Sequence, residues 1–485
     1  MSAIDTLLER MIRGRGYRPE TRDDVADILK GVFEERYHSQ DWRHFQPRNA
    51  LMLKEEQAAW AGWITSENPT SGAYQGTSFV WFPADEGSVA TLCIGTGGFG
   101  PDGHLLARPG HRRRLKAMAR LHDGRLWVKP DLLDLQSRVQ DATARTWPAI
   151  DAALRVYGHV IYAAFPVRSP DAKQLLEDLL DLFFFEHGVR LTGKLKGRWE
   201  DRRRSMLASL FSRHGADEVA RLLEERRFLV LQGPPGTGKT RLALEVAHRY
   251  GKATQVQFHP ARTYEDFVVG LAPQTQAGQL AFEVKAGDLL RANEAAVQAG
   301  QHVLLIDEIN RGDLARVLGE AIYLFEPGEP DREIDLPHAY KGERRLRLAP
   351  GLMVLATRNT ADRSVARIDM AIRRRFGFLD IWPDLDVVRA QGDALAQECF
   401  EDALDVFTEH ADDAGLDLTP GHAYFLDPRP DLATGLRPAR IARRLRFELM
   451  PLLRTYVEER LLGPATGVVE ELADRIAARV EATAS

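Results

Sequence analysis

The chain has 485 residues, 44% of them hydrophobic and 28% charged, with a formal net charge of -5. It is too long for one hydrophobic core and long enough for two or three domains. The charge balance demands no nucleic-acid partner for the surface as a whole, so any such surface has to be local. No apolar run reaches the roughly 20 residues that cross a bilayer. The cysteines, Cys93 and Cys399, are too few for a disulfide framework or a cysteine-rich zinc site, and suit the cytoplasm.

The first residues, "MSAIDTLLERMIRGRGYRPE", lack the apolar core of a signal peptide and read as an amphipathic helix. Helical patterns run to about residue 65. They give way to "TSFVWFPADEGSVATLCIGTGGFG", where two strands flank "ADEG", a good turn sequence. After more helix come the apolar "GHVIYAAFPV" and the helical "DAKQLLEDLLDLFFFEHGV". Residues 1–204 therefore read as an N-terminal domain of mixed α/β or α+β type.

From about residue 206 the pattern changes. "DEVARLLEERR" is helical, "FLVLQ" is a buried strand, and a glycine-rich loop opens the helix "TRLALEVAHRY". Strands "ATQVQFH", "HVLLID" and "GLMVLAT" then alternate with helices, which predicts a parallel sheet flanked by helices over residues 205–385. After Trp382-Pro383 no strong strand remains, and residues 386–485 read as a helical lid.

The loop "GPPGTGKT", Gly233 to Thr240, fits G-x-x-x-x-G-K-[ST] between a strand and a helix, the context that pattern requires. Gly233, Gly236 and Gly238 allow backbone angles and close approaches that a side chain would block, and their N–H groups, with the helix N-terminus, would cradle phosphates; Pro234, Pro235 and Thr237 complete the predicted binding loop. Lys239 would reach the β and γ phosphates and Thr240 would bind Mg²⁺. "VLLIDEINRGDLARVLGEAIYLFE" supplies the answering half. It reads as a strand running into a helix, and places Asp307 at the strand end to hold Mg²⁺ and Glu308 beside it to polarise an attacking water. A lone helix N-terminal acid pair would account for one of these carboxylates through the dipole, but not for both next to a phosphate loop.

With "VQFHPARTYEDFVVGLAP" and "NTADRSVARIDMAIRRRFGF", these motifs occur in an order that resembles the AAA+ motor of the McrB family. "GHAYFL" and "LRPARIARRLRFELMPLLRTY" are similar to that family's C-terminal helices, so the resemblance covers about residues 205–460. It implies an α/β P-loop AAA+ core with a helical lid, hydrolysing ATP or GTP with Mg²⁺. The family's namesake prefers GTP, most AAA+ relatives use ATP, and no NKxD-type guanine motif is visible here. The resemblance makes Asn359 the sensor that orients the attacking water and Arg437 a lid arginine at the nucleotide. It makes Arg373, Arg374 and Arg375 the region of a finger acting on a neighbouring subunit, with Arg363 a further interface residue. Arg358 stands where the family usually has Met. The implied assembly is a ring, expected to be a hexamer, working with a McrC-like nuclease subunit in restriction and phage defence. A MoxR-like chaperone and a nucleotide-switched binding module are the alternatives; Glu308 argues against the switch.

Weaker signals lie in the first 204 residues, which resemble no family. "GTGGFG" formally fits G-x-G-x-x-G, but "PDGHLLARPG" does not read as a helix opening, so a hairpin or loop is expected. "RPGHRRRLKAMARL" and "KLKGRWEDRRR" are basic runs that would suit DNA phosphates or, more often, a solvated face. Histidines show no zinc spacing.

Overall fold

The computed structural model describes all residues except 1, 14–21, 52–58, 84–87, 135–150, 277–278, 327, 363–369, 433 and 485. The chain forms two compact units, Met1–Leu210 and Phe211–Ser485. The "ADEG" turn and Arg363 lie outside the described residues. Among the described residues no helix is long and apolar enough to cross a membrane.

The first unit is built on strands β1 (Phe45–Asn49), β2 (Ala61–Thr65), β3 (Thr77–Phe82), β4 (Val89–Ile94), β5 (Trp127–Val128) and β6 (Ile161–Pro166). They form one six-stranded sheet in the order β1-β2-β3-β4-β6-β5, antiparallel throughout. Alternation decides the faces: Phe79 and Trp81 enter the larger core, Val80 and Phe82 the smaller one. The expected amphipathic helix is Ala3–Ile12, capped by Ser2 and Asp5 and burying Ile4, Leu7 and Met11. Two expectations are corrected. The reading of residues up to about 65 as helical missed β1 and β2, whose short runs carry Pro47 and Gly62 and little periodicity. A short helix, Gly103–Ala107, does follow "GTGGFG". Yet β4, which precedes it, is an antiparallel strand, so no βαβ unit forms there.

The basic runs are also explained. In the helix Pro109–Leu121, Arg113 is buried and Arg114 bonds the buried Glu186 at 2.5 Å. In the helix Gly193–Leu210, Arg198 pairs with Glu177, and Arg202 with Asp178. Much of this charge is internal scaffolding around the helix Ala172–Glu186. That helix buries Glu177, Asp178 and Asp181, and Arg36 answers Asp181 at 2.7 Å. Arg112, Lys116 and Arg120 are left on one exposed helix face.

The second unit holds β7 (Phe228–Gly233), β8 (Thr254–Gln257), β9 (Val269–Gln276), β10 (Gln279–Ala286), β11 (His302–Asp307), β12 (Glu333–Tyr340), β13 (Glu343–Arg347), β14 (Leu352–Asn359) and β15 (Gly377–Asp380). The main sheet is five-stranded, in the order β15-β7-β14-β11-β8, all parallel. Its three central strands, β7, β14 and β11, are buried almost throughout, as a sheet covered on both faces requires. Leu304 and Ile306 join one core, and Val303 and Leu305 the other. The sequence reading missed β15 and two antiparallel hairpins, β9–β10 and β12–β13. After β11 the expected helix is broken into the turn Ile309–Arg311, the helix Leu314–Leu318 and the turn Gly319–Leu324. Beyond Pro383 the unit is helical, with a core of its own that includes Phe400, Phe407, Leu445 and Leu472.

Candidate nucleotide site

The loop after β7 takes its shape from its glycines. Gly238, just before the helix Lys239–His248, sits at φ 76°, a left-handed conformation that a side chain disfavours. Register then brings the rest of the site to the loop. β14 lies between β7 and β11, pairing Asn359 with Gly233 and Ala356 with Ile306. The ends of all three strands therefore converge, as expected for a ligand site at the carboxyl edge of a parallel sheet.

Lys239 is buried, and its Nζ donates to the carbonyls of Gly233 (2.9 Å) and Pro234 (2.6 Å). Burial lowers its pKa to about 8, partly opposed by Glu308, Asp307 and, from the helical part, Asp417. Thr240 Oγ1 donates to Asp307 Oδ1 at 2.9 Å, and Thr357 Oγ1 donates to the same oxygen at 2.5 Å. Thr357 also accepts the backbone N–H of Glu308 at 3.1 Å. One hydroxyl on β14 thus fixes both members of the acid pair. Glu308 adopts φ 55°, ψ 49°, an uncommon conformation for a residue with a Cβ. Its carboxylate faces Arg311, whose Nε is 3.3 Å away.

The hydroxyl of Thr240 and the carboxylate of Asp307 are hard oxygen donors in contact, which fits Mg²⁺. Among the described residues no group of three or more His, Cys, Asp or Glu is placed to hold a metal. The other positions of an octahedral ion would fall to phosphate oxygens and water, as is usual for Mg²⁺.

The remaining expected residues are placed unevenly. Asn359 ends β14; its Oδ1 accepts from Ala361 N at 3.2 Å, and its backbone carbonyl accepts from Asn310 Nδ2 at 3.3 Å. Arg358 bonds Gln232 Oε1 at 3.2 Å. Arg373 and Arg374 are exposed, and Arg373 lies over the ring of Phe378. Arg375 is buried, donating to Ala371 O at 2.9 Å and facing Glu326 at 3.4 Å. Arg437 does not face the loop: it donates to Gln391 O at 2.6 Å and lies 3.6 Å from Asp427.

What does face the loop from the helical part is the segment Gly421–Tyr424. Gly421 N donates to Pro235 O and Ala423 N to Gly236 O, both at 2.9 Å. A Cβ on Gly421 would stand 2.1 Å from Gly236 C, so only glycine permits this approach. The sequence reading assigned no role to this segment or to Thr357. Thr357 was open to discovery, because period two puts it on the same strand face as Asn359.

The first unit has a cavity of about 820 Å³ whose lining includes Arg48, Trp60, Tyr74, Phe82 and Tyr157. The Arg48 guanidinium lies 5.9 Å from the Trp60 ring and 5.8 Å from that of Tyr74.

Comparison with known proteins agrees with this geometry. Residues 228–376 match the AAA domain of the dynein-related subfamily. The chain is 32% identical over 230 residues to the type IV methyl-directed restriction enzyme EcoKMcrB subunit of Escherichia coli K12, covering 43% of this chain and 49% of that one. It is 25% identical over 190 residues to the type II restriction enzyme BsuMI component YdiS of Bacillus subtilis, covering 31% and 55%. With the Holliday junction branch migration complex subunit RuvB of Prochlorococcus marinus it shares 30% identity over 165 residues, covering 33% and 37%. The chain spans about half, or less, of the length of these relatives. The domain match places an AAA domain over residues 228–376, where Lys239, Thr240, Asp307 and Glu308 stand on a five-stranded parallel sheet, in a chain that is similar over 230 residues to the E. coli subunit.

Proposed function

We propose that the chain is the nucleotide-hydrolysing motor of a McrBC-like restriction system, working as a ring together with a separate nuclease subunit. The observation that carries this is the contact of Thr240 and Thr357 with one oxygen of Asp307, in a chain that is similar to a restriction-enzyme subunit. It joins the phosphate loop to an acid pair, which a passive binding module does not need. Mg²⁺, held by Thr240 and Asp307 with ATP or GTP, would neutralise charge between the β and γ phosphates. In this reading Lys239 leaves its loop carbonyls for phosphate oxygens, Asn359 orients the attacking water, and Glu308 accepts its proton.

Arg373 and Arg374, both exposed, supply the finger to a neighbouring subunit, while Arg375 is held inside. The first unit recognises the trigger, DNA or another ligand. Its exposed Arg112, Lys116 and Arg120 and its aromatic-lined cavity support that role.

The test is Glu308→Gln, which keeps shape and removes the base. Nucleotide should still bind, with turnover slowed by roughly 10² to 10⁴. Loss of binding with no separate effect on turnover would make Glu308 structural. Affinity capture of the tagged trapped variant from its host should recover a nuclease subunit; recovery of a nucleotide-dependent client with no nuclease would overturn the restriction assignment.

A further inference from the structure

We infer that His422, carried by the helical part of the second unit, is a nucleotide contact, donating from Nε2 to the phosphate chain in the site of Lys239. This rests on the reading of the loop as a nucleotide site and adds to it a residue from the helical part that the loop and strand motifs do not contain.

The argument begins with the backbone. The N–H groups of Gly421 and Ala423 bond the carbonyls of Pro235 and Gly236, so the segment is docked on the loop like a short added strand. His422 lies between those bonds, and its ring cannot swing far from the loop. Its Nδ1 accepts the backbone N–H of Asp384 at 3.3 Å. An accepting Nδ1 is unprotonated, so the proton of the neutral ring sits on Nε2. That nitrogen lies 3.3 Å from where a Cβ on Gly238 would stand, against the residue that opens the helix Lys239–His248. No hydrogen bond of Nε2 to a protein acceptor occurs among the described residues.

The electrostatics agree with the geometry. Burial lowers the His422 pKa to about 4; Asp384 opposes this, and Arg241 and Lys239 lower it further. The ring is therefore neutral near pH 7 and holds one fixed tautomer, a donor with a set direction. The helix N-terminus, the loop N–H groups and Lys239 all favour negative charge at the same place. A donor aimed there, with no protein acceptor, is suited to a phosphate oxygen. Arg437 is turned to Gln391 and Asp427, whereas His422 Nε2 stands at Gly238, with the Tyr424 ring beside it at Gly236.

The test separates a ligand contact from a structural one by splitting the two ring nitrogens. His422→Asn keeps an acceptor near the Nδ1 position for Asp384 N–H but has no group at Nε2. His422→Gln places an amide N–H near the Nε2 position. Affinity of the full chain for fluorescently tagged ATP and GTP is measured with Mg²⁺, together with the melting temperature without nucleotide. His422→Asn should weaken both nucleotides by a similar factor, roughly ten-fold, as for a lost hydrogen bond to a charged group. Its nucleotide-free melting temperature should be close to that of the parent, and His422→Gln should recover most of the affinity. Unchanged affinity in His422→Asn, equal losses in both variants, or a loss for one base alone would overturn the assignment. Lys239→Ala is the control: if the parent binds nucleotide and this variant does not, the loop reading stands whatever His422 does. If the parent binds neither nucleotide, the loop reading fails first.

Discussion

Lys239 shows how much chemistry one residue can hold before any ligand arrives. Its ammonium lies in the loop against the carbonyls of Gly233 and Pro234, and burial has lowered its pKa to about 8. Phosphate oxygens would stabilise the charged form and raise that value, so binding takes up a proton wherever the free amine has lost one. The sign follows: affinity is flat below about pH 8 and falls above it, by up to ten-fold per pH unit while the bound amine stays charged. Titration of tagged nucleotide between pH 7 and 9.5 should show this bend. Affinity that rises through the same range would contradict the lysine's role. At this scale the loop was fully legible in the sequence, because its glycines, Lys239 and Thr240 act through local spacing. His422 and Arg437 were not. Which of two side chains reaches a loop nearly two hundred positions away is decided by helix packing, which no local pattern encodes.

Among the elements, the helix Ala172–Glu186 has the least ordinary composition for its position. It buries carboxylates on several sides, each answered by a cation or hydroxyl from elsewhere, as buried charge requires. Burial alone would raise the Glu186 carboxyl, yet His111 and Arg114 outweigh it and hold the pKa at about 2. Stability from Glu186 is therefore present above its ordinary value of 4.5 and lost as pH falls toward 2. His122 and His187 go the other way. Burial lowers them, but Asp178 and Asp171 for the first, and Asp102 for the second, raise the net pKa above 6.5. Their contribution is complete below 6.5 and is lost as pH climbs through the raised values. Asp181, raised by burial despite Arg36, also favours lower pH.

The first unit should thus be most stable between about pH 4.5 and 6.5. All tryptophans but Trp382 lie in it, so the fluorescence melt of the intact chain reports on it. A melting temperature that climbs steadily from pH 6 to 8.5 would refute this balance. The helix itself was readable from its apolar run; its ion pairs were not, because Arg36, His122 and Arg202 meet it only through the fold. The missed hairpin β9–β10 failed for the opposite reason. Its residues are largely exposed, with Leu280 and Phe282 outward, so no buried alternation marked it.

For the whole molecule, the arginines after β14 separate stability from assembly. Replacing Arg373 and Arg374 together by Ala should leave nucleotide affinity nearly intact while reducing hydrolysis by roughly 10³ or more, the range for a finger supplied by a neighbour. Mixing that variant with Lys239→Ala should restore part of the activity, since each lacks a different half of a shared site. Arg375→Ala should instead lower the melting temperature, because it strips a buried partner from Glu326. A monomer hydrolysing at full rate, or no recovery on mixing despite co-sedimentation, would exclude the shared site.

The place of β14 between β7 and β11 means that the site has a reading frame. Thr357 and Asn359 serve the loop and the acid pair only while Ala356 stays opposite Ile306 and Asn359 opposite Gly233. One extra residue inside the strand would turn every later side chain to the opposite face. An alanine inserted between Leu355 and Ala356 should therefore abolish nucleotide binding outright, where a point substitution only weakens it. The same insertion between Lys341 and Gly342, in the turn joining β12 to β13, should leave binding within about two-fold, as expected for a surface loop. Nucleotide titrations of the two proteins would reveal a frameshift acting on a folded site instead of on a gene.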